Sequence, residues 1–330
     1  MNFSVVIPCY NAEAWIESTL ASVAAQTLSA LDVIVVDDGS GDRSLSLLQT
    51  NATVTQLLQT PNLGPAEARN AGIAAAMGDW VAFLDADDAW KPDHLARIAA
   101  LVGGGEDVVY LAAAEHYSIN VNRVVSVSDN GPIDRPTGGM DHDRYFSLYL
   151  NHGLLEMSSM ALRRDRLQAV GGFNSDFRGA EDLELMLRVV HGQTWAYDPV
   201  PSSIYRCNNP ASYSRQARQR DGISLSAKFR ALLAHQEGYG IPEAMFWDYA
   251  PTLMSKAISQ CTAEGRDRVQ GLVGPYLSSQ QRLLFAIAGR LPGVYCLVND
   301  AKNRLRGQQY RPRKVVAIGA GMSEAGCSML

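Results

Sequence analysis

Three short apolar runs near the start of the chain are each followed by a polar turn. Phe3 to Ile7 leads into Pro8-Cys9-Tyr10-Asn11, Asp32 to Val36 into Asp37-Asp38-Gly39-Ser40-Gly41, and Trp80 to Leu84 into Asp85-Ala86-Asp87-Asp88. A continuous run of Val and Ile belongs to a strand buried on both faces, as in a parallel sheet. Parallel strands need long crossovers, and the intervening sequence carries helical spacing. Trp15, Ile16, Leu20 and Val23 recur in this way over about Ala12 to Ala25, and Gly64-Pro65 opens a helix through Arg69 and Ile73 to Ala76. A further short strand is expected near Thr53 to Leu58. Alternating strands and helices make an α/β sheet with helices on its faces. Ligands of such sheets bind outside the carboxyl ends of the strands, which is where these acids and glycines fall.

Composition narrows the function classes. With 330 residues, the chain has room for one sizeable α/β domain and a smaller second unit. Hydrophobic residues are 47% and charged residues 19%, as in a soluble globular protein. A net charge of −5 provides no basic face for a phosphate backbone, so nucleic acid is not an expected partner. The opening MNFSVVIPCYN lacks the cationic and apolar regions of a signal peptide, and no stretch approaches the roughly 20 apolar residues of a bilayer span. Five scattered cysteines without a CxxC pair fit reduced thiols rather than zinc, and the six histidines show no metal-ligand spacing. The expected location is the cytoplasm.

From Asp107 to about Val200 the pattern is mixed, with strands near Val108–Ala112 and Met157–Leu162 and a helix from about Arg164 to Ala169. The turn Gly171-Gly172-Phe173 follows, then a helix after Glu181-Asp182 with Leu183, Leu185, Leu187 and Val190 as candidates for its apolar side. Beyond about Arg218 the sequence looks helical and carries no strong chemical motif. Residues 1–215 are therefore expected to form the α/β domain and 216–314 a helical C-terminal region. Residues 315–330, rich in Gly, Ser and Ala, are expected to form a flexible tail.

The acids admit two readings each. Asp85 and Asp87, separated by one small residue in a loop, can converge on one divalent cation; hard oxygen ligands suit Mg²⁺ or Mn²⁺, whose shells are completed by water and substrate phosphates. Alternatively, Asp87 and Asp88 cap the helix entered through Pro92. A cap accounts for one acid but not for a second directly at the strand end. Asp37-Asp38-Gly39-Ser40 reads as a strand-to-helix turn with Ser40 or Asp42 as N-cap, or as a carboxylate that accepts from a base N–H. Arg69 reads as a surface arginine or as a cation aimed at a diphosphate or base. Glu181 and Asp182 suit a helix N-terminus through the macrodipole, and Asp182 is also a legitimate general base for an attacking hydroxyl.

Taken together and in order, VVIPCYNAEAWIESTLASVAAQT, VIVVDDGSGDRS, NLGPAEARNAGI, WVAFLDADDAWKPDHL, GGF and AEDLELMLR resemble the family 2 glycosyltransferases with the GT-A fold. The resemblance covers roughly residues 3–206. It implies a nucleotide-sugar-binding, Rossmann-like mixed sheet flanked by helices, with a C-terminal helical extension. It further implies transfer of a sugar from a nucleotide-diphosphate donor to a hydroxyl acceptor with inversion; UDP is the expected nucleotide, with GDP and dTDP as alternatives. The acceptor would be a glycan, a lipid-linked glycan or a small molecule, and surface polysaccharide assembly is the implied setting. By position, Pro8, Tyr10 and Asn11 match the family's first nucleotide-binding turn, and Asp38 with Asp37 beside it the acid that reads the base. Arg69 matches the basic residue near the nucleotide, Asp85 the ribose contact, Asp87 the metal ligand and Asp182 the catalytic base. Glu181 and Arg206 are further candidates for diphosphate or acceptor contacts. The sequence departs from the family at Asn208, where many relatives carry a His.

Two other activities compete with this reading. A nucleotidyltransferase should carry a Gly-rich basic loop after its first strand, where this chain has Pro8-Cys9-Tyr10-Asn11; a non-catalytic sugar-binding relative should have lost acids that are intact here. Residues 280–314 hold eight basic side chains against one acid, Asp300, interleaved with apolar residues such as Leu283 and Leu291. That segment is a candidate for peripheral contact with an anionic membrane at its cytoplasmic face, most of all after Lys302; the alternative packs the apolar stripe onto the catalytic domain.

Overall fold

The computed structural model describes residues 1–102, 109–120, 122–127, 156–177, 179–191 and 193–207, and in the C-terminal part 229–231, 233–234, 254, 257 and 263–290. The strands are β1 (Phe3–Cys9), β2 (Asp32–Asp37), β3 (Gln56–Gln59), β4 (Trp80–Phe83), β5 (Ala89–Trp90), β6 (Val109–Ser118), β7 (Arg123–Val127), β8 (Met160–Arg163) and β9 (Trp195–Cys207). They form one sheet in the order β3-β2-β1-β4-β8-β6-β9-β5, with β7 paired to β6. The first four run parallel, with Ser4 opposite Asp32 and Phe3 opposite Trp80. Beyond them β8 pairs antiparallel with both β4 and β6, so the sheet is mixed as the sequence resemblance implied.

Composition explains the central strands. Val5, Val6, Ile7, Val33, Ile34, Val35 and Val36 are all buried, because helices cover both faces of the sheet. Burying each such side chain contributes about 1.5–3 kcal/mol. Strand β1 runs two residues past its expected end at Ile7, through Pro8 to Cys9. The Cys9 carbonyl accepts from Asp38 N on the β2 side, and the Val6 carbonyl accepts from Leu84 N on the β4 side. Alternation therefore turns the Pro8 nitrogen toward the β4 side, where pairing has already ended at Val6, and no donor is missed there.

The helices in this half are α1 (Ile16–Ala24), α2 (Ser44–Thr50), α3 (Pro65–Ala75) and α4 (His94–Val102). Helix α1 starts four residues later than the apolar periodicity suggested, because residues 11–15 form the turn that leaves β1. Pro65 occupies the start of α3, where its missing N–H costs nothing. This helix lies close on β1: a Cβ at Gly72 would fall 2.4 Å from Val6 Cγ1, so only glycine allows the approach. Helices α5 (Arg164–Ala169) and α6 (Glu181–Val190) follow β8.

The chain divides into two compact units, residues 1–216 with 230–241, and residues 217–229 with 242–330. In the second unit, the described helices are α7 (Ala263–Val273) and α8 (Ser279–Arg290). Phe285 of α8 is buried, Leu283 is exposed, and the Phe229 and Tyr276 rings meet edge to face with centroids 5.3 Å apart. Among the described residues no helix is long and apolar enough to cross a membrane. The basic cluster from Lys302 to Lys314, the tail 315–330 and Asn208 lie outside the described residues.

Candidate functional site

The turns that leave β1, β2 and β4 lie along one edge of the sheet, and side chains stitch them together. Asn11, in a left-handed conformation (φ 50°), accepts from Gly41 N at 2.8 Å through Oδ1 and donates its own N–H to Ser40 Oγ at 3.0 Å. Asn tolerates that conformation better than most residues. The Ala12 and Glu13 amides donate to Ser44 Oγ and Asp42 Oδ2. Tyr10 is half exposed beside this joint, and its hydroxyl accepts from Asn62 Nδ2 at 3.4 Å.

Asp37 and Asp38 differ sharply. Asp38 is buried and accepts from Thr60 Oγ1 (2.7 Å), Leu63 N (2.8 Å) and Gly64 N (2.7 Å), so it fixes the entry into α3. The Asp37 carboxylate accepts from Ser40 N at 3.3 Å, and its buried Oδ1 has no hydrogen-bond partner among the described residues. Burial and the Asp37 carboxylate push the neighbouring Cys9 thiol up to about 12, which keeps it protonated and unreactive.

In the Asp85–Asp88 turn the pattern repeats. Asp88 is buried and does not cap the helix entered through Pro92; α4 begins at His94. Its carboxylate instead accepts from Ser158 Oγ and from Arg206 N at 2.9 Å. Ser158 Oγ also accepts from Asp85 N at 3.1 Å, and its carbonyl accepts from Trp90 Nε1. Thr19 Oγ1 donates toward the Ala86 and Asp88 carbonyls, and Arg206 Nη1 toward those of Asp87 and Asp88. Burial, reinforced by the charges of Asp87 and Asp85, pushes the Asp88 carboxyl well above the usual carboxylate range. Asp85 and Asp87 are only partly buried.

Arg69 is buried rather than a surface residue. Its Nη2 donates to Asp85 Oδ1 at 2.7 Å, and its Nη1 lies 3.7 Å from Glu181 Oε1. The guanidinium also sits over the Phe173 ring, 5.5 Å from its centroid. Burial alone would lower its pKa, but Asp85, Glu181 and Asp182 outweigh that and raise it. Glu181 accepts from Gly179 N, and burial together with Asp182 raises its pKa while Arg69 opposes the rise. Asp182 is partly exposed, with Oδ1 accepting from Leu183 N. One arginine thus joins the β4 turn to the first turn of α6.

The turn at Gly171-Gly172-Phe173 fixes where α6 begins. The Asn70 side chain, one residue after Arg69, exchanges two hydrogen bonds with the Phe173 backbone. Gly172 has φ +71°, and a Cβ there would lie 2.5 Å from Asn70 Oδ1. From the other side Arg188 of α6 donates to the Gly172 carbonyl. The Phe173 ring meets Phe83 of β4 edge-on at 5.6 Å.

Arg206 belongs to the same assembly. Its Nη2 donates to Ser18 Oγ, and the guanidinium lies over the Trp15 ring at 5.4 Å. Burial lowers its pKa against the pull of Asp88 and Asp87. Asp88, Ser158, Asn70 and Trp15 were not singled out from sequence as site residues. Nothing but proximity to the acids marks them, since single Ser, Asn and Trp side chains carry no spacing signal.

Among the described residues no three His, Cys, Asp or Glu side chains converge on a point. The partly exposed pair Asp85 and Asp87 nevertheless fits Mg²⁺ or Mn²⁺, which take one or two carboxylates and complete the shell with water and phosphate. The oxygen-only donor set argues against softer metals.

The chain is similar to an uncharacterized glycosyltransferase of Haemophilus influenzae, 25% identical over 67% of this chain and 70% of that protein. It is 31% identical to the amylovoran biosynthesis glycosyltransferase AmsB of Erwinia amylovora, over 57% of this chain and 64% of AmsB. It is also 46% identical to the succinoglycan biosynthesis protein ExoW of Rhizobium meliloti, over 28% of this chain and 31% of ExoW. The chain thus spans less than two thirds of AmsB and about a third of ExoW. Two solved structures share the fold: S. aureus TarS 1–349 with UDP-GlcNAc (TM-score 0.65, 19% identity, 92% of each chain), and the mannosyltransferase PcManGT of Pyrobaculum calidifontis with GDP-Man and Mn²⁺ (TM-score 0.52, 17% identity, 88% of this chain and 80% of that one). The family described as Glycosyl transferase family 2 matches residues 4–171, just over half of the sequence. With a GT-A type mixed sheet and its acids gathered at one edge, the chain belongs to glycosyl transferase family 2.

Proposed function

We propose that this chain is an inverting glycosyltransferase that moves a sugar from a nucleotide-diphosphate donor, a UDP-sugar, to a hydroxyl acceptor in surface polysaccharide assembly. The observation that carries the reading is Arg69 bridging Asp85 and Glu181, because it brings the strand-end acids and the start of α6 into one site. The polysaccharide setting is supported by the names of AmsB and ExoW, and the use of a nucleotide sugar by the ligands of TarS and PcManGT.

The turn at Pro8, Tyr10 and Asn11 would cradle the nucleoside. Asp37, with its spare oxygen, is the better placed of the two β2 acids to accept from the base N–H, while Asp38 shapes the pocket wall. Asp85 would face the ribose, oriented by Arg69. Mg²⁺ or Mn²⁺ held by Asp87 would supply neutralisation of the diphosphate when bound. Asp182 takes the proton of the acceptor hydroxyl as its oxygen bonds to the anomeric carbon and the bond from that carbon to the diphosphate oxygen breaks. Attack opposite the leaving group inverts the centre. Glu181 and Arg69 hold the first turn of α6, and Arg206 holds the backbone of Asp87 and Asp88. The catalytic domain is placed in residues 1–215. Residues 280–314 are proposed to rest on the cytoplasmic face of an anionic membrane. Liposome co-sedimentation that did not fall in a chain cut near residue 300 would remove that part of the proposal.

The test is hydrolysis and transfer with a panel of nucleotide sugars, with Mn²⁺ or Mg²⁺, in wild type, Asp87→Ala and Asp182→Asn. Metal-dependent release of one nucleotide, lost in both variants, is expected. A folded protein that binds no nucleotide sugar would overturn the reading.

A further inference from the structure

A cavity of about 380 Å³ lies beside the assembly just described, lined by Trp15, Tyr117, Ile119, Asn122, Ile204 and Arg206. It belongs to none of the roles assigned above. Trp15 comes from the turn between β1 and α1, Tyr117 from the end of β6, Asn122 from the connection between β6 and β7, and Ile204 and Arg206 from β9. Its wall is continuous with the acidic turn, because the Arg206 guanidinium that lines it also holds the Asp87 and Asp88 carbonyls.

The chemistry of the lining selects an occupant. Small-molecule sites have volumes of roughly 300–1,000 Å³ and are mostly apolar, with a few placed polar groups. Two aromatic rings and two isoleucines supply the apolar part here. The Tyr117 hydroxyl donates to Asn122 Oδ1, which leaves the donors of that amide on Nδ2. A phosphate is a poor match, because the Arg206 fork is already engaged: Nη1 serves two carbonyls, Nη2 serves Ser18, and Trp15 covers the guanidinium. A long acyl or isoprenoid chain is also a poor match, because Asn122, the Tyr117 hydroxyl and Arg206 put polar groups into the wall. A neutral sugar ring has an apolar C–H face and a rim of hydroxyls, which suits aromatic faces beside an amide.

We propose that this cavity is a saccharide subsite that holds a neutral sugar ring of the acceptor against Trp15 and Tyr117. Calling the ring the acceptor's rests on the glycosyl-transfer reading; the binding of the ring does not. A glycan seated there would touch the arginine that holds the turn carrying Asp87, so the acceptor chain would be anchored within reach of the reacting centre.

Saturation-transfer NMR on the full chain tests this with a panel of methyl glycopyranosides (gluco, galacto, manno, rhamno and N-acetylglucosamine forms). Binding of UDP with Mn²⁺ is followed in parallel. At least one glycoside is expected to receive saturation, about fivefold less in Tyr117→Ala, with UDP binding unchanged. Asn122→Gly, which removes the amide and keeps the left-handed backbone (φ 51°) of this exposed turn, is expected to weaken the same signal. Absence of saturation for every glycoside in a protein that binds UDP would overturn the subsite and leave the transferase reading standing. So would signals unchanged in both variants, or a short-chain polyprenyl phosphate binding in place of the glycosides. Glycoside binding that follows the expected pattern in a protein that binds no nucleotide would support the subsite and overturn the transferase reading instead.

Discussion

The acidic turns after β2 and β4 look alike as sequence, Asp-Asp-Gly-Ser and Asp-Ala-Asp-Asp, and both divide their labour between neighbours. In each, the last acid is buried and bonded on both oxygens: Asp38 to Thr60, Leu63 and Gly64, and Asp88 to Ser158 and Arg206. In each, an earlier acid is less enclosed or less fully bonded: Asp37 has a lone buried oxygen, and Asp85 and Asp87 are partly exposed. The turns differ in what their saturated acid holds. Asp38 fastens the entry of a helix, whereas Asp88 fastens the turn itself to β9 and to the segment before β8. A run of carboxylates at a strand end therefore has to be read atom by atom, since the acid that looks most available can be the one that builds the site.

The comparison breaks most readily at Asp87. Asp87→Ala is expected to lower metal-dependent turnover by about 10³-fold or more with little change in Tm, measured by nucleotide release and thermal unfolding. Asp38→Ala is expected to act the other way round and cost about 2–4 kcal/mol of stability by denaturant titration, because three donors lose a charged acceptor. Equal loss of activity without loss of stability at Asp38 would erase the distinction.

Acid lability has to be assigned before either turn is credited with it, and His94 stands outside both. It is buried, stacked on Trp90 and bonded to Ser202, and burial with the nearby Arg97 charge lowers its pKa to about 3. Because the unfolded chain binds the proton more readily, stability falls as pH drops below the ordinary histidine value. The expected loss is about 2 kcal/mol from pH 7 to pH 5, and His94→Gln should flatten that slope. Ser158→Ala carries the smallest expected effect, about 1 kcal/mol, with KM for the donor raised more than kcat is lowered. Damage as large as that of Asp87→Ala would mean that the anchored and available acids are not separable.

The parallel half of the sheet was legible because Val and Ile runs such as Ile34–Val36 have one stable use, as strands covered on both faces. The acids, Arg69 and Glu181-Asp182 were legible as an ordered set. Strand β9 was not, since Pro199, Pro201 and two serines interrupt its apolar character; its register shift against β6 falls in that stretch. The β5 strand of two residues carries too little pattern to read. Within the site, the sequence singled out Asp38 with Asp37 beside it and offered a helix cap as one of two readings for Asp87 and Asp88. Which oxygen is spare was not legible, because it depends on donors 22 to 118 residues away.

The Asn70 amide that grips Phe173 reaches across 103 residues of chain. It ties the turn leading into α6 to α3 rather than to its own neighbours in sequence. Exposed connections between those two anchor points, as opposed to β4 and its acidic turn, can then change length without shifting Asp182 relative to Arg69. Under the proposed reading, a lineage can in this way rewrite what its enzyme glycosylates while the proposed base and the buried arginine keep their spacing.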